Sequence, residues 1–375
     1  MINIRVKTVK LYHVVMKLKT PFETSFGKTI DRHCVLVEIV DEEGDVGWGE
    51  IPVDDVPYYH YETVETTLYI AKEFLIPKLL KTDIIEPEDF LNATSRIRGY
   101  VMAKAGFEMT LWDLLARKKR KPLYELIGGT KGRIVSGVSI GIIGNTELLL
   151  KSVSRFLNEG YRRIKIKIKP KWDIEPVKTI RKIFGNIPLQ VDANAAYTLK
   201  NINVFKQLDR YNLLMIEQPL HYEDLAEHAE LQSKIRTPIC LDESIKSIYD
   251  AKAAIKLGSC KIINIKPARV GGLSESIAIH NHALEHNVPV WIGGMLETGI
   301  GRGFQVALAT LPNIKYPNDI SASNRYYEED IVEPPWLLNS DGTIAVPKKP
   351  GIGVEVLVDK IEKYSRKIIE FKSHV

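Results

Sequence analysis

The N-terminal stretch alternates apolar and polar positions, the period-2 signature of half-buried strands. Within it, Val35-Leu36-Val37-Glu38-Ile39-Val40, then Asp41-Glu42-Glu43-Gly44-Asp45, then Val46-Gly47-Trp48-Gly49-Glu50 reads as strand, turn, strand. From Tyr61 to about Ala116 the apolar spacing becomes helical, with Leu68, Ile70, Ala71, Phe74 and Leu75, and later Phe107, Leu111, Trp112, Leu114 and Leu115. Strands followed by helices, not interleaved, predict an α+β unit over residues 1–130.

Beyond that point short apolar runs alternate with helical stretches. The predicted strands are Val135–Ile142, Ile164–Ile168, Leu189–Val191, Leu213–Ile216, Ile239–Leu241, Ile262–Ile265 and Val288–Ile292. Polar residues end successive strands at Lys167, Asp192, Glu217, Asp242 and Lys266, at intervals of 25, 25, 25 and 24 residues. That period fits one strand, one helix and two loops. A solenoid shares such periods but also repeats a residue pattern, and none recurs here. Amphipathic stretches such as Ile174–Phe184 and Tyr249–Leu257 fill the intervals. Serial βα units with apolar strands predict a parallel (β/α) barrel over residues 131–330. The segment 331–375 ends in the helix-like Leu357–Phe371, expected to pack back on the N-terminal unit.

Composition narrows the class. The chain has 375 residues, 45% hydrophobic and 26% charged, with a net charge of +5, the balance of an ordinary globular protein with no polyanionic partner. Nucleic-acid binding is not suggested. Three scattered cysteines, Cys34, Cys240 and Cys260, form neither a disulfide framework nor a zinc ribbon and read as small buried side chains. With no signal peptide pattern and no run of about 18 apolar residues, a cytoplasmic protein without membrane contact is expected. Asn92-Ala93-Thr94 is then a chance glycosylation match. No dinucleotide or phosphate loop and no His-Glu-x-x-His helix occurs.

The strand ends carry the chemistry, because barrel enzymes act at that face. Asp192, Glu217 and Asp242 converge on one mouth. Three acids so close cannot all ionise without a cation, and oxygen-only ligands suit a hard ion such as Mg²⁺. The bland reading is that each acid caps a helix or pairs with a base, which equal spacing on adjacent strands disfavours. Lys165, Lys167 and Lys169 share one side of their strand, and Lys266 ends a strand roughly opposite. An exposed edge strand would explain a Lys-Ile repeat but not Lys266. Neighbouring cations and a metal would lower a lysine pKa and make it a base. A metal flanked by lysines suits proton abstraction next to a carboxylate, with the ion stabilising the enediolate.

Lys165-Ile166-Lys167, Val191-Asp192-Ala193-Asn194, Ile216-Glu217-Gln218-Pro219, Leu241-Asp242-Glu243-Ser244 and Asn264-Ile265-Lys266-Pro267, in this order, resemble the enolase superfamily, muconate-lactonizing subgroup. Ile292-Gly293-Gly294-Met295-Leu296-Glu297-Thr298-Gly299 and Asp319-Ile320-Ser321-Ala322-Ser323 resemble o-succinylbenzoate synthases and the related N-acylamino acid (N-succinylamino acid) racemases. The resemblance implies an α/β fold, a modified (β/α)₇β TIM-type barrel under an N-terminal α+β capping domain. It implies Asp192, Glu217 and Asp242 as ligands of Mg²⁺, or of Mn²⁺ in its place, and Lys167 and Lys266 as the catalytic pair. It implies a small-molecule carboxylate substrate, a homo-oligomer and a step toward menaquinone. Dipeptide epimerase and muconate cycloisomerase are disfavoured by Gly293-Gly294-Met295.

Substrate contacts implied in the same way are Lys165, Ser139, Asn194, Gly293, Met295 and Phe22. Thr20, Phe22 and Phe26 belong to a segment, Thr20–Lys28, resembling a mobile loop that closes over substrate. Glu243 is expected to pair with Lys165 or a neighbour. Lys169 is either solvated or a rival base, and His60 is expected on the capping-domain surface.

Overall fold

The computed structural model describes residues 2–373. Strands β1 (Val6–Glu23), β2 (Lys28–Asp41) and β3 (Val46–Ile51) form an antiparallel sheet in which β2 lies between β1 and β3. The helix Val101–Lys118 lies across β3, and three glycines permit the approach. A Cβ on Gly47 or Gly49 would run into the backbone of this helix, and one on Gly106 into Ile51. Burying both the helix and the sheet face in this way supplies the apolar core of the cap.

The chain then enters β4 (Arg133–Val135) and β5 (Val138–Ile140), which replace the single predicted strand Val135–Ile142, broken at Ser136-Gly137. Next come β6 (Ile164–Lys167), β7 (Leu189–Asp192), β8 (Ile216–Glu217), β9 (Ile239–Leu241), β10 (Ile262–Ile265) and β11 (Val290–Ile292). These lie in the order β11-β10-β9-β8-β7-β6-β5, every neighbour parallel. An irregular eighth stave closes the ring. Val290 and Ile292 bond to Asn313, Lys315 and Asp319 on one side, and Asn318 exchanges bonds with Val135 and Gly137 on the other. The architecture is thus a (β/α)₇β barrel beneath an antiparallel cap.

Side-chain caps fix where the outer helices begin. Asn145, Asp173, Asp224, Ser247 and Thr298 each accept a backbone N–H in the first turn of the helix that follows. None of the helices among the described residues is long and apolar enough to cross a membrane.

The C-terminal segment adds β12 (Val332–Glu333), β13 (Thr343–Ala345), β14 (Glu355–Val356), the helix Val358–Tyr364 and β15 (Ser365–Lys372). The expected helix over Leu357–Phe371 therefore stops at Tyr364. Ser365-Arg366-Lys367-Ile368-Ile369-Glu370 instead pairs antiparallel with β1, completing the sheet β15-β1-β2-β3. The edge of β1 is the stronger attraction, since it offers unpaired backbone groups to a segment with adjacent β-branched residues.

Candidate active site

The barrel register turns the even spacing of the sequence into proximity. Lys167 lies opposite Asp192, Asp192 opposite Glu217, and Glu217 opposite Cys240, so Asp242 stands two residues higher on β9. Each acid is fully buried. One carboxylate oxygen from each of Asp192, Glu217 and Asp242 lies within 4.8 Å of the others. Beneath them Met215, Cys240, Ile262 and Trp291 form an apolar floor.

Lysines flank the trio on both sides. Lys167 Nζ donates to Asp192 Oδ2 at 2.6 Å and Asn194 Oδ1 at 2.7 Å. Lys266 Nζ donates to Asp242 Oδ2 at 2.9 Å and to the Tyr59 hydroxyl at 3.0 Å, with the Tyr59 ring 4.7 Å away. Because β7, β8 and β9 separate β6 from β10, the two amines approach the carboxylates from opposite flanks.

Lys165 is held differently. Its Nζ bridges Asp319 at 2.6 Å, Glu217 at 2.8 Å and Asp192 at 3.2 Å, over the ring of Trp291. Arg163 meets the other oxygen of Asp319 at 2.6 Å. Burial opposes the charge of Lys165, but Asp319, Glu217 and Asp192 outweigh it and raise its pKa above the ordinary lysine value. Lys266 is likewise raised: burial works against it, and Tyr59, Glu243 and Glu217 prevail. At both positions the anions crowding the mouth outweigh the neighbouring cations.

The carboxylates split. Burial raises Asp192, yet Lys167 and Lys165 bring it below the usual range, whereas Glu217 is raised by burial and by the charge of Asp192. Glu217 is oriented by Gln190 Nε2 at 2.7 Å and Asn264 Nδ2 at 2.6 Å, and Asp242 by the Arg269 guanidinium. Formal charges balance one for one, with Asp192, Glu217, Asp242, Glu243 and Asp319 facing Lys165, Lys167, Lys266, Arg163 and Arg269.

A cavity of about 120 Å³ opens above this ring. Lys165, Lys167, Lys266, Asn194 and Ser139 form its floor, and Phe22, Phe26, Val53, Tyr59 and Met295 its wall toward the cap. Ser139 Oγ donates to Asp319 at 2.9 Å, so its hydroxyl proton is engaged. Asn194, in the left-handed region at φ 42°, accepts from Lys167 and donates Nδ2 to Glu243 at 2.8 Å. Asn194, and not Lys165, is thus the hydrogen-bond partner of Glu243.

Gly293 does not line the cavity. It lies against Asn264, where a Cβ would collide with the amide that holds Glu217, and the neighbouring Gly294 reaches the cavity wall instead. The segment Thr20–Lys28 is the tip of the β1–β2 hairpin and not a separate loop, with Phe22 paired to Thr29 and Thr20 exposed outside the cavity. It docks on the barrel through Ile142 N to Glu23 O at 2.8 Å, Ser25 Oγ to Asn194 O at 3.2 Å, and Lys169 Nζ to Glu23 Oε1 at 3.2 Å. Lys169 is therefore a tether to the cap. His60 lines the cavity instead of the surface, and burial beside Arg269 and Lys246 pushes its pKa down to about 4.

Sequence reasoning missed Tyr59, Arg269, Gln190, Asn264 and Asp319 as parts of the site. Gln190 and Asn264 had a signal, since each stands two residues before a predicted site residue on its strand. Tyr59 comes from the cap and had none.

Residues 149–360 match the family described as enolase C-terminal domain-like, and residues 6–128 match the mandelate racemase / muconate lactonizing enzyme N-terminal domain. An o-succinylbenzoate synthase of Bacillus subtilis is 47% identical over 99% of this chain and 100% of its own length. An N-succinylamino acid racemase of Thermus thermophilus is 44% identical over 96% of this chain and 97% of its own. A crystal structure of an enolase superfamily member from Listeria innocua superposes with a TM-score of 0.95 at 40% identity, covering 99% of this chain and 100% of that one.

Proposed function

Because the chain belongs to the enolase superfamily, we propose that it is an o-succinylbenzoate synthase that binds a small-molecule carboxylate between Lys167 and Lys266. The observation that carries this reading is the pair of buried amines on opposite flanks of one carboxylate trio. Residues 1–130 act as the cap, 131–330 as the catalytic barrel and 331–375 as the segment returning to the cap. The protein works in the cytoplasm, as a homo-oligomer, on a route to menaquinone.

The donor set fits a hard divalent cation, since it is buried, converging and made only of carboxylate oxygens. Asp192, Glu217 and Asp242 would hold Mg²⁺ or Mn²⁺, which would supply positive charge beside the substrate carboxylate as the enediolate develops. With the formal charges of these mouth residues balanced, a divalent ion would leave a surplus of two, enough to offset an enediolate dianion.

Lys167 is the base. It takes the α-proton of a cyclohexadiene carboxylate, the ring gains a carbon–carbon double bond, and the β-hydroxyl leaves with a proton returned by the same ammonium as water. Removal and return share one face, so one lysine suffices. Lys266, kept charged by its anionic surroundings, faces the other side of the enediolate and stabilises it electrostatically. Lys165, Ser139, Asn194, Met295 and Phe22 shape the pocket around the substrate. Incubation with Mg²⁺ and the cyclohexadiene precursor should produce the absorbance of the aromatic product, and its absence would overturn this reading.

Racemisation of N-succinylamino acids is the second reading, favoured by the placement of an amine on each flank. It needs a proton removed on one face and delivered on the other, so Lys266 must exchange a proton too. Solvent deuterium entering the α-position of an N-succinylamino acid tests it.

A further inference from the structure

The helix Leu273–Glu285 follows β10 back across the outside of the barrel, so its C-terminal end lies at the face opposite the active-site mouth. Its last turn reads His282-Ala283-Leu284-Glu285-His286, a His-x-x-Glu-His order that is the reverse of the His-Glu-x-x-His pattern absent from this chain. Spacings of three and four residues put all three side chains on one helix face. The structure brings one ligand atom from each within 4.8 Å of the others, and the two imidazole rings stand 4.2 Å apart.

Two details make this more than a chance of composition. His286 Nδ1 is 2.9 Å from the His282 carbonyl and must donate to it, which fixes the tautomer and leaves Nε2 with a free lone pair. His282 lies 3.9 Å from Glu285, too far for a hydrogen bond, which leaves its ring open to a cation. The carbonyl end of the helix also favours a cation. His280, two residues earlier, is excluded because its nitrogens already meet Asn281 and the Asn313 N–H.

We propose that His282, Glu285 and His286 form a binding site for a borderline transition-metal dication, Zn²⁺ or Cu²⁺, with water completing the shell. Two imidazoles and one carboxylate suit these ions and not Mg²⁺. Glu285 and His286 are exposed, and this turn contributes nothing to the cavity above the barrel mouth. The site therefore pins the last turn of the helix and has no catalytic role.

Cu²⁺ electron paramagnetic resonance on the full chain saturated with Mg²⁺ tests this, because the active-site trio offers oxygen alone. One equivalent of Cu²⁺ should show coupling to two imidazole nitrogens. His282→Ala and His286→Ala should each abolish the two-nitrogen signal and weaken Zn²⁺ binding, measured by equilibrium dialysis, at least tenfold, with turnover unchanged as the check on folding. Coupling to no nitrogen or to one only, or a two-nitrogen signal that survives either substitution, overturns the proposal. None of these outcomes bears on the reaction proposed above.

Discussion

The buried acids of two regions are held by different forces. At the barrel mouth, Asp192, Asp242 and Asp319 are met by lysine and arginine side chains. Along the seam between cap and barrel, Glu50 and Glu108 are met by helix N-termini. Glu50 of β3 accepts from Thr298 and Gly301 at the start of the helix Gly299–Ala309, and Glu108 accepts from Leu273 and Ser274 at the start of Leu273–Glu285. Backbone donors compensate a carboxylate less than a full cation does. Asp319 is accordingly driven below its ordinary pKa by Arg163 and Lys165 against the opposing effect of burial, whereas burial pushes Glu50 and Glu108 each up to about 7. Asp192 and Asp319 are thus held charged at the mouth, whereas Glu50 and Glu108 titrate near neutrality along the seam.

The largest effect should come from removing what the mouth is charged for. Chelation with EDTA is expected to abolish turnover, and added Mg²⁺ to restore it. Full activity in chelator would detach the trio from the chemistry and leave its burial unexplained. Next in size is Lys167→Ala, expected to lower kcat by about 10³-fold or more, the upper part of the range for a general base, with unchanged circular dichroism.

Lys266→Arg separates charge from proton transfer on the other flank. Arginine keeps the positive charge and cannot act as a base, so synthase turnover should fall by no more than about tenfold, while deuterium exchange into N-succinylamino acids should vanish. Equal loss of both would show that Lys266 moves a proton in each reaction, contradicting the single-face elimination.

The seam gives a smaller, pH-dependent effect. Glu50 and Glu108 hold their protons to about pH 7 in the fold, against an ordinary value of 4.5 in the open chain. Their contribution is complete below about 4.5 and is lost as pH rises through about 7, on the order of 3 kcal/mol for each group. Asp319 acts in the opposite sense: its lowered pKa adds stability above the ordinary carboxylate value of 3.8 that disappears in stronger acid. Melting temperature should therefore be higher at pH 5.5 than at pH 8. Glu108→Gln, which imitates the protonated acid, should flatten that slope. A Glu108→Gln protein that keeps the full slope would place Glu108 among the ionised carboxylates.

The same contrast explains what could be read without coordinates. The mouth was legible because a barrel converts sequence period into proximity, so Asp192, Glu217 and Asp242 met as their spacing required. The seam was not, since Glu50 and Glu108 look like ordinary polar positions of a strand and a helix until a barrel helix abuts them. Tyr59 escaped for the same reason, reaching Lys266 across 207 positions of chain. At the C-terminus the local pattern favoured a helix, while the decisive partner of Ser365–Lys372 was β1, which local periodicity does not register.

The smallest effect belongs to an ion pair that joins the cap hairpin to the end of β6. Lys169 and Glu23 meet at 3.2 Å, and their side chains are 40% and 36% exposed. An exposed pair contributes about 0.2–1 kcal/mol, so Lys169→Ala should leave melting nearly unchanged. Its consequence should be local. Glu23 adjoins Phe22, which walls the cavity, and the same hairpin tip bonds to Ile142 and Asn194. Loosening one of three tethers should raise KM by about 1.4- to fivefold, the equivalent of that ion-pair energy, with kcat held. A fall in kcat comparable to that of Lys167→Ala would instead make Lys169 a participant in proton transfer and reopen the choice of base along β6.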